Sequence, residues 1–198
     1  MQGGGRKARS RGGTEQGRIR SGGNSMAEKL RPLLTLLKDV LYGVLLWLLI
    51  ITFVGQVREV PTGSMEPTIL VGDRFWTDKL ILRFTSIRRG DIVVFDPPPQ
   101  VQAQYPYIKR VIGLPGETVE VRDGLVFING EPLDEPYIAE PPRYTYGPVT
   151  IPEGQYFVLG DNRNLSNDSH EWGLLNRERI FARAVYRIWP LSRIGSID

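Results

Sequence analysis

One apolar segment restricts the folds that this chain can adopt. Residues 40–57 carry no charged side chain, and residues 33–37 extend the apolar face upstream. An α-helix rises about 1.5 Å per residue, so residues 40–57 would span roughly 27 Å, close to the thickness of a bilayer core. A helix that is apolar on all sides is unusual inside a small soluble domain. We therefore predict a single membrane-spanning helix at 32–57.

The alternative for this segment is a cleaved signal peptide, which has a shorter apolar region and ends in a small-residue cleavage site. Residues 52–58 contain no Ala-x-Ala pattern, which favours a permanent signal anchor. The residues before the anchor are rich in Gly, Arg and Ser, and they have too few apolar side chains to offset the entropy lost on ordering. Their charge is one-sided, with Arg6, Lys7, Arg9, Arg11, Arg18, Arg20, Lys29 and Arg31 against Glu15 and Glu28.

An excess of Lys and Arg beside an anchor places that end of the chain in the cytoplasm. The sequence thus predicts three regions: a disordered basic cytoplasmic tail at 1–31, the anchor at 32–57 and an extracytoplasmic domain at 58–198. The tail has no aromatic residues among its cations, so contact with lipid is favoured over nucleic acid, and no nucleic-acid partner is expected.

The extracytoplasmic region has the pattern of a β domain. Short runs rich in β-branched and aromatic residues predict strands, and they lie at 75–76, 81–82, 92–95, 107–112, 118–121, 125–128, 156–159 and 182–189. Turn sequences separate them, and Asp123-Gly124 predicts a tight hairpin because both residue types tolerate positive φ. The predicted fold is mainly β, with antiparallel sheets or a partly open barrel behind one N-terminal transmembrane helix.

The composition excludes several kinds of site. The chain has no cysteine and one histidine, His170, so disulfides, thiol nucleophiles and Cys-based metal sites are impossible. No EF-hand-like spacing of Asp residues occurs either. We expect no metal and no organic cofactor.

Two residues point to nucleophilic catalysis. Ser64 follows Gly63 on a sharp turn just after the anchor, and Lys109 stands inside the apolar run at 107–112. Burial lowers the pKa of a lysine, and a neutral lysine can take a proton from a serine hydroxyl. From the residues alone, Ser64 as a simple turn serine and Lys109 as an edge-strand lysine with its head in water both remain open. A Ser-His-Asp triad would have to use His170.

Several motifs occur in one order along the chain: PTGSMEPT at 61–68, GDR at 72–74, RGDIVVF at 89–95, YIKRVIGLPGE at 107–117, GDNR at 160–163 and SNDS at 166–169. Together they resemble the type I signal peptidases, or leader peptidases. The ending Asp168-Ser169-His170 resembles that of the cyanobacterial and plastid branch of the family. The resemblance extends from the anchor to the last strand. One departure is WGLL at 172–175, where the family usually has Gly-Pro-Leu-Pro.

The resemblance implies a role for each matching residue. Ser64 is the nucleophile, Lys109 the general base, Thr62 the hydroxyl donor to the oxyanion, and Ser166 the residue that orients the lysine. The implied structural support comes from Arg110, Asp161, Asp168 and His170, with Arg110 paired to Asp161 and His170 paired to Asp168. Because strand side chains alternate, Arg110 is expected on the opposite face from Lys109.

The resemblance also implies a function and a location. It predicts a membrane-bound serine endopeptidase that cleaves signal peptides from exported preproteins after small residues. The expected partners are preprotein signal peptides, the lipid bilayer and the export machinery. The expected location is the plasma or thylakoid membrane, with the catalytic domain on the periplasmic or lumenal side.

Two other classes of protein fit parts of the pattern. A membrane-anchored β domain that binds peptides without chemistry would leave Ser64 and Lys109 far apart. A self-cleaving Ser/Lys protein of the repressor type would carry a DNA-binding helix pair at its N-terminus, where this chain has a basic tail and an apolar segment.

Overall fold

The computed structural model describes residues 26–197, and it begins with a long helix. Helix α1 covers Met26–Leu49, and a π-helical turn, Ile50–Val54, continues it. The stretch Leu30–Val54 is 25 residues long, apolar and exposed, which fits a membrane anchor. The chain divides after Val44 into two compact units, the first holding most of the helix and the second the rest of the chain.

The helix bounds differ from the predicted 32–57 at both ends. Residues 26–31 are helical, although the sequence placed them in the disordered tail; Ala, Glu, Lys and Leu there are good helix formers. Residues 55–57 belong to a strand. The predicted helix included them because an uncharged run does not distinguish the end of an anchor from a strand that follows it. Residues 1–25 of the predicted tail lie outside the described residues.

The second unit is built from short strands, and its mainly β class is as predicted. In chain order they are β1 Gly55–Glu59, β2 Arg74–Asp78, β3 Ile92–Phe95, β4 Tyr107–Gly113, β5 Thr118–Arg122, β6 Leu125–Ile128, β7 Glu131–Pro132, β8 Tyr146–Thr150, β9 Gln155–Leu159, β10 Leu175–Asn176, β11 Ile180–Trp189 and β12 Gly195–Ser196. Two four-residue helices, α2 Ile81–Phe84 and α3 Ser169–Trp172, interrupt them.

The strands form two sheets, and their pairings are antiparallel. The larger has the order β1-β2-β11-β3-β4-β9-β10, with β12 added beside β11, and the smaller has the order β7-β6-β5-β8. Register shifts interrupt the pairing of β11 with β2 and with β3, and bulges of this kind bend a strand. The predicted hairpin is confirmed: β5 pairs with β6, and Asp123 and Gly124 both have positive φ.

One predicted strand is wrong. Residues 81–82 lie in α2, where the Asp78 carboxylate accepts a hydrogen bond from the Ile81 amide at 2.9 Å and Leu82 packs into the core. The short run of two apolar residues did not distinguish a helical turn from a strand. The strands β1, β7, β8, β10 and β12 were not predicted, since β8 contains Gly147 and Pro148 and the others are short or adjoin the apolar segment.

Strand β4 lies where the hydrophobic core divides. Its side chains enter three separate clusters: Ile108 packs in the first, Val111 in the second and Ile112 in the third. Strands β3 and β9 flank it on both edges. Lys109 and Arg110 lie between these buried residues, on a strand that is fixed by its neighbours on both edges and by packing.

Candidate active site

Ser64 lies on a tight turn that packing holds in place. The turn is a 3-10 helix, Gly63–Met65, and Met65 is fully buried in the first core cluster. From the other side, Asn162 donates its backbone N–H to the Ser64 carbonyl oxygen and its side-chain amide to the Gly63 carbonyl oxygen, both at 3.1 Å. Main-chain contacts thus fix the position of the Ser64 hydroxyl.

Gly160 makes a close approach to this turn. A Cβ at position 160 would overlap both the Ser64 carbonyl oxygen and the Ser166 hydroxyl. Only glycine lets the two chain segments lie this near to each other. The GDNR motif therefore has a steric reason for its first residue.

Lys109 reaches Ser64 from β4. Its Nζ lies 2.6 Å from Ser64 Oγ, although the two residues are 45 positions apart in sequence. Both are nearly inaccessible to solvent, with 4% exposure for Lys109 and 7% for Ser64. The structure brings together the pair that the sequence singled out, in hydrogen-bond contact and away from bulk water.

The surroundings of Lys109 raise the fraction of its neutral form. Burial lowers its pKa from 10.5 to about 8, and the carboxylates of Asp168 and Asp161 offset part of that effect. A base is most effective when its pKa lies near the working pH. Lys109 thus has both the geometry and the protonation equilibrium needed to take the proton of Ser64.

Thr62 and Ser166 both lie near Ser64. Thr62 Oγ1 lies 3.4 Å from Ser64 Oγ. Ser166 is buried, and its Oγ has no hydrogen-bond partner within residues 26–197. A buried hydroxyl without a partner is costly, so the Ser166 hydroxyl has an unused capacity for a hydrogen bond. The roles of Thr62 in the oxyanion hole and of Ser166 in orienting Lys109 stay predictions.

Arg110, the residue after Lys109 on β4, forms a buried ion pair with Asp161. Arg110 Nε and Nη2 donate to the two Asp161 oxygens at 2.9 and 2.8 Å, and both side chains are almost completely buried. Thr68 adds a hydroxyl donor to the same carboxylate at 2.5 Å. Tyr137 covers the guanidinium, with 4.0 Å from its ring centroid to Arg110 Cζ.

His170 pairs with Asp168 and not with Ser64. Its Nδ1 lies 2.7 Å from Asp168 Oδ1, its Nε2 lies 3.1 Å from Glu171, and its ring stacks on Tyr144. Burial lowers the pKa of His170, but the contacts with Asp168 and Glu171 outweigh it, so the pKa is raised. Asp168 also accepts the Gly160 N–H at 2.8 Å, which links the histidine to the glycine beside Ser64.

One ion pair that supports the site was missed by sequence reasoning. Arg163 Nη1 and Nη2 donate to the Glu135 carboxylate at 2.8 and 2.7 Å, and Arg163 is fully buried. Arg163 Nε also donates to the Gly160 carbonyl oxygen at 3.0 Å. The GDNR motif marks Arg163, but no pattern around Glu135 indicates a buried carboxylate.

A cleft opens onto the reactive pair. Its volume is about 450 Å³, and its walls include Ser64, Lys109, Tyr105 and Leu165. A second pocket of about 390 Å³ adjoins it and shares the walls at Pro61, Tyr105, Pro106 and Ile108. Within residues 26–197 no group of three or more His, Asp or Glu side chains could hold a metal ion.

The comparisons with known proteins agree with this chemistry. The family model described as "Signal peptidase, peptidase S26" matches residues 33–189. The chain belongs to the signal peptidase family. "Signal peptidase I" of Leptolyngbya laminosa is 48% identical over 171 residues, covering 84% of each chain. "Thylakoidal processing peptidase 1, chloroplastic" of Arabidopsis thaliana is 40% identical over 150 residues, covering 71% of this chain and 44% of the relative.

A crystal structure of a signal peptidase I from Enterococcus faecalis is 37% identical. It covers 50% of this chain and 97% of its own, with a TM-score of 0.44.

Residues 172–175, where the sequence differs from the usual family pattern, do not include either member of the reactive pair. Trp172 ends α3, and its ring lies 6.0 Å from that of Phe95. Leu175 begins β10 and is fully buried in the second core cluster. The altered residues thus serve packing on the side of the sheet where β10 begins.

Proposed function

We propose that this chain is a membrane-anchored serine endopeptidase that cleaves signal peptides from exported preproteins with Ser64 as nucleophile and Lys109 as general base. The observation that carries the proposal is the 2.6 Å contact between Lys109 Nζ and Ser64 Oγ in a buried setting. Membership of the signal peptidase family supports the substrate class.

The first half of the reaction forms an acyl-enzyme. Neutral Lys109 takes the hydroxyl proton as Ser64 Oγ attacks the carbonyl carbon of the scissile peptide bond. The Ser64 backbone N–H and the Thr62 hydroxyl donate to the oxyanion that develops. The Lys109 ammonium then gives its proton to the departing amine, and the mature protein leaves.

The second half releases the signal peptide. Lys109 is neutral again after the first step, so it can take a proton from water as that water attacks the ester of Ser64. The ammonium returns the proton to Ser64 Oγ when the ester bond breaks. Ser166 Oγ has no hydrogen-bond partner within residues 26–197, and in this proposal it accepts a hydrogen bond from the Lys109 amine and holds the amine in line during both steps.

The two adjoining pockets suit an extended peptide. Strand β1 lies at one end of the larger sheet, and residues 56–60 line the smaller pocket, so a peptide can add to that edge by main-chain hydrogen bonds. The cleft at Ser64 and its neighbour then receive the first and third residues before the cut. The selection of small residues there follows the family.

We infer the location of the chain from its apolar span and from the charge of the residues before it. The N-terminal tail lies in the cytoplasm, and the catalytic domain lies on the periplasmic or lumenal side of the plasma or thylakoid membrane. The bilayer and the export machinery are the partners that bring a preprotein to this surface. The Lys/Arg excess of the tail supports this orientation.

The test is cleavage of a purified preprotein by the full-length protein in detergent. Wild type should release the signal peptide, and Ser64→Ala should leave the preprotein intact while circular dichroism is unchanged. Ser86→Ala, which alters an exposed serine remote in sequence, is the matched control and should cleave normally. An intact preprotein after incubation with wild type would instead favour a peptide-binding domain without chemistry.

A further inference from the structure

A further pocket, distinct from the active-site cleft and from the smaller pocket beside it, is rich in cationic side chains. Its volume is about 470 Å³, and it lies where the π-helical turn that ends the apolar helix meets the β domain. Four cationic side chains line it, and Asp and Glu are absent from its walls within residues 26–197. The residues that form it include Thr52, Arg58, Lys79, Arg83, Arg177 and Phe181.

Within the part of the chain that the structure describes, the four cations form no ion pair. Most arginines of the β domain lie within 4.0 Å of a carboxylate, as Arg89 does with Glu117. Within residues 26–197 the cations of this pocket have no carboxylate inside that distance. They are half-buried except for Arg83, and a half-buried charge without a counter-ion is unfavourable.

The main-chain contacts of two of these cations give them fixed positions. Lys79 Nζ donates to the Ile51 carbonyl oxygen at 2.8 Å. Arg177 Nη1 and Nη2 donate to the carbonyl oxygens of Ile180 and Leu82, at 3.0 and 3.1 Å. Each of these cations has further N–H groups, because an ammonium has three and a guanidinium five. Those donors remain for an anion that enters the pocket.

The other two cations lie over aromatic rings. Arg58 Cζ is 5.2 Å from the ring centroid of Phe181, and Arg83 Cζ is 5.9 Å from that of Phe53. Burial lowers the pKa of Arg58, and the more distant Asp96 offsets only part of this effect. An anion placed among the four side chains would offset the rest.

The position of the pocket selects the kind of anion. Thr52 and Phe53 belong to the last turn of the apolar span, which ends at Val54. Phe84, beside Arg83 on α2, is 82% exposed. Cations next to an exposed aromatic side chain at the end of a membrane span are typical of the headgroup layer of a bilayer.

We propose that this pocket binds the phosphate group of an anionic membrane lipid. The four cations surround the phosphate, and Phe53 and Phe84 contact the upper part of the acyl chains. The lipid thereby holds the end of the anchor and the adjoining sheet at a set depth. This binding is independent of the chemistry at Ser64.

The test measures lipid binding to the full-length protein in neutral detergent. Short-chain phosphatidylglycerol, short-chain phosphatidylcholine and sodium phosphate are titrated separately, and the rise in melting temperature gives each apparent affinity. Wild type should bind phosphatidylglycerol more tightly than either other probe. Lys79→Gln/Arg83→Gln should weaken that binding by roughly 30-fold, the change expected from two cations at a membrane surface.

The matched control is Arg74→Gln/Arg88→Gln, which removes the same charge from two exposed arginines outside the pocket. It keeps the basic N-terminal tail, as the test variant does, so contact of the tail with lipid cancels. The single variant Arg83→Gln, at an exposed position, reports on binding if the double variant folds poorly.

Three results would overturn the proposal. One is equal phosphatidylglycerol affinity in the control and Lys79→Gln/Arg83→Gln variants. Another is equal binding of phosphatidylcholine, and the third is preference for free phosphate, which would mark a site for a soluble anion. Both double variants should still cleave a soluble peptide in detergent, so failure of this proposal is distinguishable from failure of the peptidase assignment.

Discussion

The pH dependence of cleavage tests the buried lysine directly. Only neutral Lys109 accepts a proton, so the rate follows the neutral fraction of that residue. At pH 7 a lysine with a pKa of about 8 is neutral in about 10% of molecules, against about 0.03% for one with a pKa of 10.5. Burial therefore raises the reactive fraction at pH 7 by roughly 300-fold.

The assay is the initial rate of cleavage of a fluorogenic signal-peptide substrate in detergent between pH 5.5 and 10. We expect kcat/KM to rise about tenfold per pH unit on the acid side and to level off above about pH 8. The same series on Lys109→Arg should show no activity at any of these pH values, because a guanidinium keeps its proton. Circular dichroism at each pH separates loss of fold from loss of base.

The competing outcome is as clear. The pKa of His170 is raised above the ordinary 6.5 by its contacts with Asp168 and Glu171, so the test is its removal: a rise that disappears in His170→Ala would assign the base to His170 and refute the Ser/Lys reading. The contact of His170 with Asp168 at 2.7 Å leads us to expect the opposite. His170→Ala should lower the rate modestly and leave the position of the rise unchanged.

Three further predictions concern the stability of the fold, the close approach at Gly160 and the orientation in the membrane. Lys109→Met should stabilise the fold near pH 6. The pKa of Lys109 is about 8 in the folded protein and 10.5 in the unfolded chain. The buried charge therefore lowers the free energy of unfolding by about 3 kcal/mol below pH 8, and this loss vanishes above pH 10.5. Urea unfolding at pH 6 and pH 10 measures the change, and equal stability of both proteins at pH 6 would contradict it. Gly160→Ala should reduce kcat by at least about tenfold, because its Cβ overlaps the Ser64 carbonyl, whereas Gly195→Ala, with nothing within 4 Å, should match wild type. In sealed vesicles, protease on the cytoplasmic side should remove only the tail, and digestion of the β domain would reverse the proposed orientation.

The sequence predicted the strands better than their surroundings. The β-branched and aromatic runs at 92–95 and 125–128 are strands as predicted. All of their side chains except that of Leu125 are buried. Residues 81–82 are not a strand, since the Asp78 carboxylate accepts the Ile81 N–H at the start of a helical turn there. The predicted anchor extended to residue 57 because residues 55–57 carry no charge, whether they end a membrane span or begin a strand.

The reactive pair could be identified only through the order of the motifs. Taken alone, Lys109 reads as an edge-strand lysine, and Ser64 reads as a turn serine. Their contact depends on a fold that joins residues 45 positions apart. The Arg163–Glu135 pair shows the limit of this approach, because its carboxylate lies in an irregular loop where burial leaves no periodic trace.

The neighbouring positions of Lys109 and Arg110 make the pairing register of β4 a condition for chemistry. A shift of one residue would turn each side chain to the opposite face. It would place a permanent cation beside Ser64 and the titratable amine beside Asp161. Because β4 is paired on both edges and packs into three core clusters, such a shift requires the whole domain to unfold. A single-residue deletion within β4 before Lys109 therefore tests alignment, since it disturbs the register without removing either reactive group.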